Sequence, residues 1–289
     1  GTPASIAATW DGYPLARRGE PGLALGINVM FSFVGQLVSI LFLAFAAFPI
    51  ASFGLRFGPA EYFGLALFGI SLMAGVSRGN VLKGMLAGML GLALATIGLD
   101  PMTAYPRYNF SSAEFLDGIA FVPVMIGLFG LGEVLARMTE APAAGQAVAV
   151  SLGRVWPAAR DWRRMLPSGL LGSSIGTLVG AIPAAGGDIA SVIAWEQARR
   201  VSRRPDEFTK GSVEGLAASS SAANAAIGGA MTTMLTLGIP GDAPSAVLIG
   251  ALLIHGVQPG PLLFRDHGAL VYSIIFLMIL AAAFIALLG

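Results

Sequence analysis

Two stretches of this chain lack charge for longer than a bilayer is thick. Leu23–Leu55 and Gly268–Gly289 contain no Asp, Glu, Lys or Arg, and roughly 20 apolar residues suffice to cross the hydrocarbon core as a helix. Shorter apolar runs follow the same pattern, so helical spans are predicted over 23–53, 62–76, 81–99, 115–136 and 270–288. Lys83 and Glu133 lie near span ends, where they can snorkel or pair. Two further apolar segments break the pattern. Pro167–Arg199 carries "GAIPAAGGDIAS" at its centre, and Gly215–His255 carries "TLGIPGDAPSAVL". Gly, Pro, Gly, Asp and Pro fall between Gly238 and Pro244, a composition that ends a helix. An ionised Asp at mid-membrane costs roughly 2.5–3.5 kcal/mol on insertion scales.

Composition sharpens this into a class. Of 289 residues 55% are hydrophobic and 11% charged, with mean hydropathy +0.77, against about 25% charged in soluble domains. The chain therefore reads as an all-α polytopic membrane protein. It has no Cys, which excludes disulfides, thiol catalysis and Cys-ligated metals. His255 and His267 are the only histidines, no His/Glu pair has ligand spacing, and Ser245 stands outside any G-x-S-x-G frame. An enzyme is not expected, and neither is a cofactor. The start at "GTPAS" and the stop at "AAFIALLG" read as cut ends of something longer.

Charge placement bears on topology. Arg154, Arg160, Arg163 and Arg164 precede the first interrupted segment; Arg199, Arg200, Arg203, Arg204 and Lys210 follow it. The positive-inside rule puts both basic clusters in the cytoplasm. The segment between them must then enter and leave by one side, as a re-entrant hairpin with its tip at Pro183–Ser191 or as two short spans. "RVWPAARDWRRML", with Trp156 and Trp162, reads as an amphipathic membrane-surface helix rather than a nucleic-acid arm. The N-terminal "GTPASIAATWDGYPLARRGEPGLAL" loosely repeats "GDAPSAVLIGALLIHGVQPGPLLF" from Gly241, and duplicated interrupted helices point to the binding site of a secondary transporter.

A broken helix exposes N–H groups at the start of its second half and C=O groups at the end of its first. Such groups are tolerated where they line a cavity or meet a ligand; N–H ends attract anions, and carbonyl ends attract Na⁺ or protons. Candidate substrate contacts are therefore Gly1, Thr2, Pro3 and Ser5 from the first break, Pro183, Gly186, Gly187 and Ser191 from the second, and Gly241 and Ser245 from the third. Asn224, amid small residues, serves either packing or a substrate hydrogen bond. Asp188 and Asp242 each precede an expected helix start, so they read as N-caps, as cation or proton ligands, or as both. Glu133, Glu196 and Glu214 read as interfacial or paired.

Four stretches, among them "TLGIPGDAPSAVLIGALLIHGVQPGPLLF" and "GTLVGAIPAAGGDIASVIAWEQARRVSRRPDEFTKGSVEG", resemble the large membrane subunit of tripartite tricarboxylate transporters, the TctA family. "GTPASIAATWDGYPLARRGEPGLAL" and "IGLDPMTAYPRYNFSSAEFLDGIAFVPVMIGLFGLGEVL" are the others. The resemblance implies an inverted-repeat secondary transporter with re-entrant and broken helices in the bacterial inner membrane. It also implies import of organic di- or tricarboxylates driven by Na⁺, with H⁺ as the alternative. The implied partners are a small membrane subunit (TctB-like), a periplasmic solute-binding protein (TctC-like), the carboxylate and the lipid bilayer; nucleic acid is not among them. On that pattern residues 1–22 end the first repeat's broken helix, 23–144 hold its remaining helices and a linker, and 145–165 form the basic amphipathic cytoplasmic segment. Residues 166–198 form the second repeat's hairpin and 199–212 a basic loop; 213–289 complete the second repeat, with its break at 238–245. The tip reads "PAAGGD" where Pro-Gly-x-Gly-Gly is expected, and Asp242 stands where a small residue is expected. Both departures add a carboxylate, which points to a less highly charged substrate acid or to Asp188 and Asp242 holding the coupling cation. The alternative functions are a channel-like or ion-only protein lined by the same breaks, and a scaffold subunit without a site of its own.

Overall fold

A computed structural model describes residues 3–56, 81–100, 105–119, 126–131, 153–183 and 186–288, with isolated positions between 58 and 138. Its helices are α1 Ile6–Arg17, α2 Pro21–Gly54, α3 Val81–Ala95, α4 Ala159–Gly180, α5 Gly186–Val201, α6 Val213–Leu237, α7 Ala243–Ile254, α8 Leu263–Asp266 and α9 Gly268–Leu288. A short hairpin pairs β1 Gly98–Leu99 with β2 Pro106–Arg107. The chain divides into two compact units: residues 1–55, 143–245 and 258–289, and residues 56–142 with 246–257.

The two charge-free stretches become α2 and α9, the described helices long and apolar enough to cross a membrane. α2 runs unbroken through Pro49. In the second unit, the span expected over 81–99 stops as a helix at Ala95, and Gly98 (φ +122°) turns the chain into β1. The span expected over 115–136 is not one helix. Leu116–Ile119 are turn and irregular backbone, and helical turns resume over Ile126–Leu131. The span at 62–76 and Glu133 lie largely outside the described residues.

The first unit is organised around α6. Its sequence, "VEGLAASSSAANAAIGGAMTTMLTL", is so rich in Ala, Ser and Gly that neighbouring backbones can come close. Most of it is buried. Gly172, Gly176 and Gly180 of α4 lie against Ala218, Ala222 and Ala226, and a Cβ on any of the three would collide with the facing backbone carbonyl. Gly172–Gly176 fits G-x-S-x-G, but it lies mid-helix with its glycines packed, not at a strand-to-helix elbow. On the other side Gly35 of α2 meets the Ser221 carbonyl, and Ser39 packs on Gly228.

These pairings rise together along both chains, so α2, α4 and α6 run parallel. α1 and α5 run the opposite way: Ala4 and Gly187 lie at the level of Ala223, while Asp11 and Trp195 lie at the level of Gly215. The two short helices therefore start partway along α6 and run past its beginning, Leu15 of α1 lying against Gly211. α4 is continuous from Ala159 through Pro167 to Gly180, so the boundary expected at residues 165 and 166 falls inside one helix. Its apolar part, Pro167–Gly180, is about 21 Å long at 1.5 Å per residue. Beyond the level of Gly180, α6 continues from Ala226 to Leu237.

Candidate functional site

The three Gly/Pro breaks, nearly 240 residues apart at their extremes, meet beside the middle of α6. The Pro3–Ser5 turn leads into α1, and the turn after Gly180 leads into α5. At the third break Gly238 (φ +71°) closes α6 in a left-handed cap, its N–H bonded to Met234 O at 3.0 Å. That is a geometry suited to Gly, and α7 follows at Ala243. A Cβ placed on Gly187 would lie 3.2 Å from Ala4 Cβ and 3.0 Å from Ala223 O. One placed on Gly186 would lie 3.8 Å from Asp242 Cβ, and one on Gly241 would press on Gly180 O and Ala230 at 2.6 Å. Helix N-termini from α1, α5 and α7 thus converge. The first turn of a helix presents N–H groups that have no intrahelical partner, and the equivalent of about half a positive charge.

The side chains chosen from sequence divide here. Asp242 is an N-cap: its Oδ1 accepts the Ser245 N–H at 2.9 Å, and its own N–H donates to Ser245 Oγ at 3.0 Å. Ser245 Oγ also donates to Asp242 O at 2.9 Å, so this hydroxyl closes the cap. Asp188 is not a cap. α5 starts at Gly186, whose φ of +60° opens it in a left-handed turn, so Asp188 falls inside the first turn and not before it. Ser191, fully buried, donates to Asp188 O at 2.9 Å. Pro183 sits in the turn between α4 and α5, and Ser5 is the residue before α1. Gly1 and Thr2 lie outside the described residues. Asn224 faces α2 rather than the breaks, donating to Ser32 Oγ at 2.8 Å and to Ser220 O at 3.1 Å. What the site offers a ligand is therefore chiefly backbone.

Other residues hold this arrangement without having been singled out from sequence. Asp11 is fully buried; its Oδ2 accepts Trp195 Nε1–H at 2.7 Å, and its Oδ1 accepts the N–H groups of Gly211 at 3.1 Å and Ser212 at 2.8 Å. Asn28 accepts from Ser220 Oγ at 2.8 Å and extends the polar seam between α2 and α6. At the same end of α6, Arg164 bonds Glu214 at 2.9 Å and Glu207 at 2.6 Å, and Arg204 reaches Glu207 at 3.1 Å. Ser202 also donates to Glu214, so Glu214 is paired, as is Glu196 with Arg200. Burial alone would raise the Glu207 carboxyl, but the hydrogen bonds and charges of Arg164 and Arg204 outweigh it and hold it below the usual range. No group of three or more His, Cys, Asp or Glu side chains able to hold a metal occurs among the described residues.

Comparison with known proteins decides the family, because the description "Tripartite tricarboxylate transporter TctA family" matches residues 1–289. The chain belongs to the TctA family. TctA proteins are transporter subunits, and the two apolar spanning-length helices fit that membership. An uncharacterized 52.8 kDa protein of Agrobacterium vitis, in the TAR-I ttuC' 3'region, is 34% identical over 276 residues, 95% of this chain and 55% of that protein. A second uncharacterized A. vitis protein, in the TAR-II ttuC' 3'region, is 37% identical over 100 residues, 35% of this chain and 41% of that protein. The chain spans about half the length of these curated relatives. No solved structure matches it.

Proposed function

We propose that the full-length protein is the permease subunit of a cation-coupled secondary active transporter. In this reading it imports organic di- or tricarboxylates across the bacterial inner membrane. A periplasmic solute-binding protein delivers the substrate and a small membrane subunit completes the assembly, as the name of the family suggests. The observation that carries the reading is the convergence of three helix N-termini, that of α7 against Ala230 and those of α1 and α5 beside Ala223. That residue is about 15 Å from the start of α6 at 1.5 Å per residue, close to half the roughly 30 Å hydrocarbon core. Oriented N–H groups and the positive dipole ends of α1 and α5 at that depth, with the start of α7 adjoining α5 through Asp242 and Gly186, suit an anionic carboxylate. The roughly 21 Å apolar part of α4 supports a hairpin that turns back inside the membrane, because a full crossing needs about 20 residues. Asp188 and Asp242, placed at two of the three N-termini, supply negative charge for a coupling Na⁺ or H⁺.

Uptake of labelled mono-, di- and tricarboxylates into proteoliposomes tests this. The full-length protein is reconstituted with its two partner subunits, with and without a Na⁺ gradient. Saturable, partner-dependent uptake of one acid driven by the gradient is expected. No carboxylate movement under a Na⁺ or an H⁺ gradient would remove the reading, and unsaturable, partner-independent flux would favour a channel.

A further inference from the structure

We propose that Asp11 is a positioning residue that sets the α1 and α5 tips against each other by fastening the middles of both helices to the start of α6. The proposal rests on the transporter reading for its functional meaning, but its geometry stands apart from the breaks. Asp11 lies near the middle of α1, seven residues on from Ala4, and Trp195 lies eight residues on from Gly187 in α5. Its carboxylate is fully buried and takes three N–H donors from two directions. Trp195 belongs to α5, while Gly211 and Ser212 lead into α6. A buried carboxylate is costly unless its hydrogen bonds are satisfied, and three convergent donors fix one geometry where apolar packing would tolerate sliding.

The surroundings are shaped for this joint. Trp195 is held edge-on by Trp10 at 5.0 Å and by Phe208 at 5.4 Å between ring centroids. Gly215 lies so close that a Cβ there would collide with Asp11 Oδ2 and stand 2.8 Å from Trp195 Nε1, and Gly211 adopts φ +102°. Because α1 and α5 are parallel and rooted in the same carboxylate, their N-terminal ends are carried at matched heights along α6. A tilt of either helix at the joint would separate Ala4 from Gly187 and spread the two sets of N–H groups that the substrate is proposed to bridge.

The chain has no Cys, so the tip spacing can be read by cross-linking. In the full-length protein in membranes, with any other cysteines replaced, the pair Ala4→Cys and Gly187→Cys is oxidised and the rate of disulfide formation measured. Disulfides require Cβ atoms about 3.5–4.5 Å apart, near the spacing seen here. Adding Asp11→Asn, which leaves one donor set facing an amide N–H, is expected to slow cross-linking at least about fivefold. Trp195→Phe, which deletes a single bond and keeps a ring in place, should act in the same direction. It keeps the test decisive if Asp11→Asn fails to accumulate. Without the cysteines, both variants should raise KM for carboxylate uptake several-fold with a smaller change in maximal rate. Unchanged cross-linking rate and KM, with only less folded protein, would overturn the proposal and leave Asp11 a stability residue. Cross-linking does not require transport, so absence of uptake by the unsubstituted protein would count against the transporter reading and not against the joint.

Discussion

At Asp242 one carboxylate meets two demands that substitution can separate. Its Oδ1 caps α7 through the Ser245 N–H, a bond whose loss costs about 1 kcal/mol. Asn caps nearly as well as Asp but carries no charge. Asp242→Asn should therefore leave thermal stability within about 0.5 kcal/mol while weakening the cation dependence of uptake. Asp242→Ala should lose the cap as well, with a lower melting temperature. If neither Asp242→Asn nor Asp188→Asn alters the response to Na⁺ or H⁺, the two aspartates have no part in coupling. The breaks themselves are legible in sequence because Gly and Pro announce them locally. Asp11 is not, since its donors lie 184, 200 and 201 residues away and nothing in "TWDGYP" marks it as buried. The hydroxyls of Ser191 and Ser245 are visible as polar groups near the breaks, but their use inside their own helices emerges only once the turns are built.

Between helices, the glycines of α4 decide how closely it can approach α6. Spaced every four residues, Gly172, Gly176 and Gly180 form a groove for the Ala218, Ala222 and Ala226 ridge. Gly176→Leu would drive a side chain into the Ala222 carbonyl, and overpacking of this kind costs about 1–3 kcal/mol or more. A clear fall in melting temperature in detergent is expected. Gly268→Ala at the start of α9, where nothing lies within 4 Å, should be silent. High Gly content in the sequence suggests close packing and kinks in general; the four-residue spacing was the specific signal. α2 and α9 are legible because uninterrupted apolar length is unambiguous. The region from Gly98 to Ile119 is not, because its path depends on positive φ at Tyr108, Phe110 and Ser111, residue types that ordinarily avoid it.

Across the first unit, the Arg164–Glu214–Glu207–Arg204 network ties the start of α4 to the start of α6 and to the loop between α5 and α6. Arg164→Met leaves the buried Glu214 with Ser202 alone, and should destabilise the protein by about 1–3 kcal/mol, the cost of an under-satisfied buried group. Glu207 has a folded pKa below its ordinary 4.5, so its contribution is complete above 4.5 and is lost as pH falls from there through the lower folded value. The melting temperature of the unsubstituted protein should drop on acidification below about pH 4.5 by more than that of Glu207→Gln. Arg164 and Arg204, one from each basic cluster in the sequence, meet here through Glu207, an acid that the charge pattern did not single out.

The central position of α6 also sets a timetable for biogenesis. α2 is complete at Gly54, yet its chief partner begins at Val213. With roughly 160 residues between them and translation at about 5–20 residues per second, α2 must wait on the order of ten to thirty seconds. During that interval Asn28 and Ser32, which bond Ser220 and Asn224 of α6, lack those partners. A helix long and apolar enough to cross a membrane thus depends through this interval on being sheltered, whether by the insertion machinery or by the segments made before it.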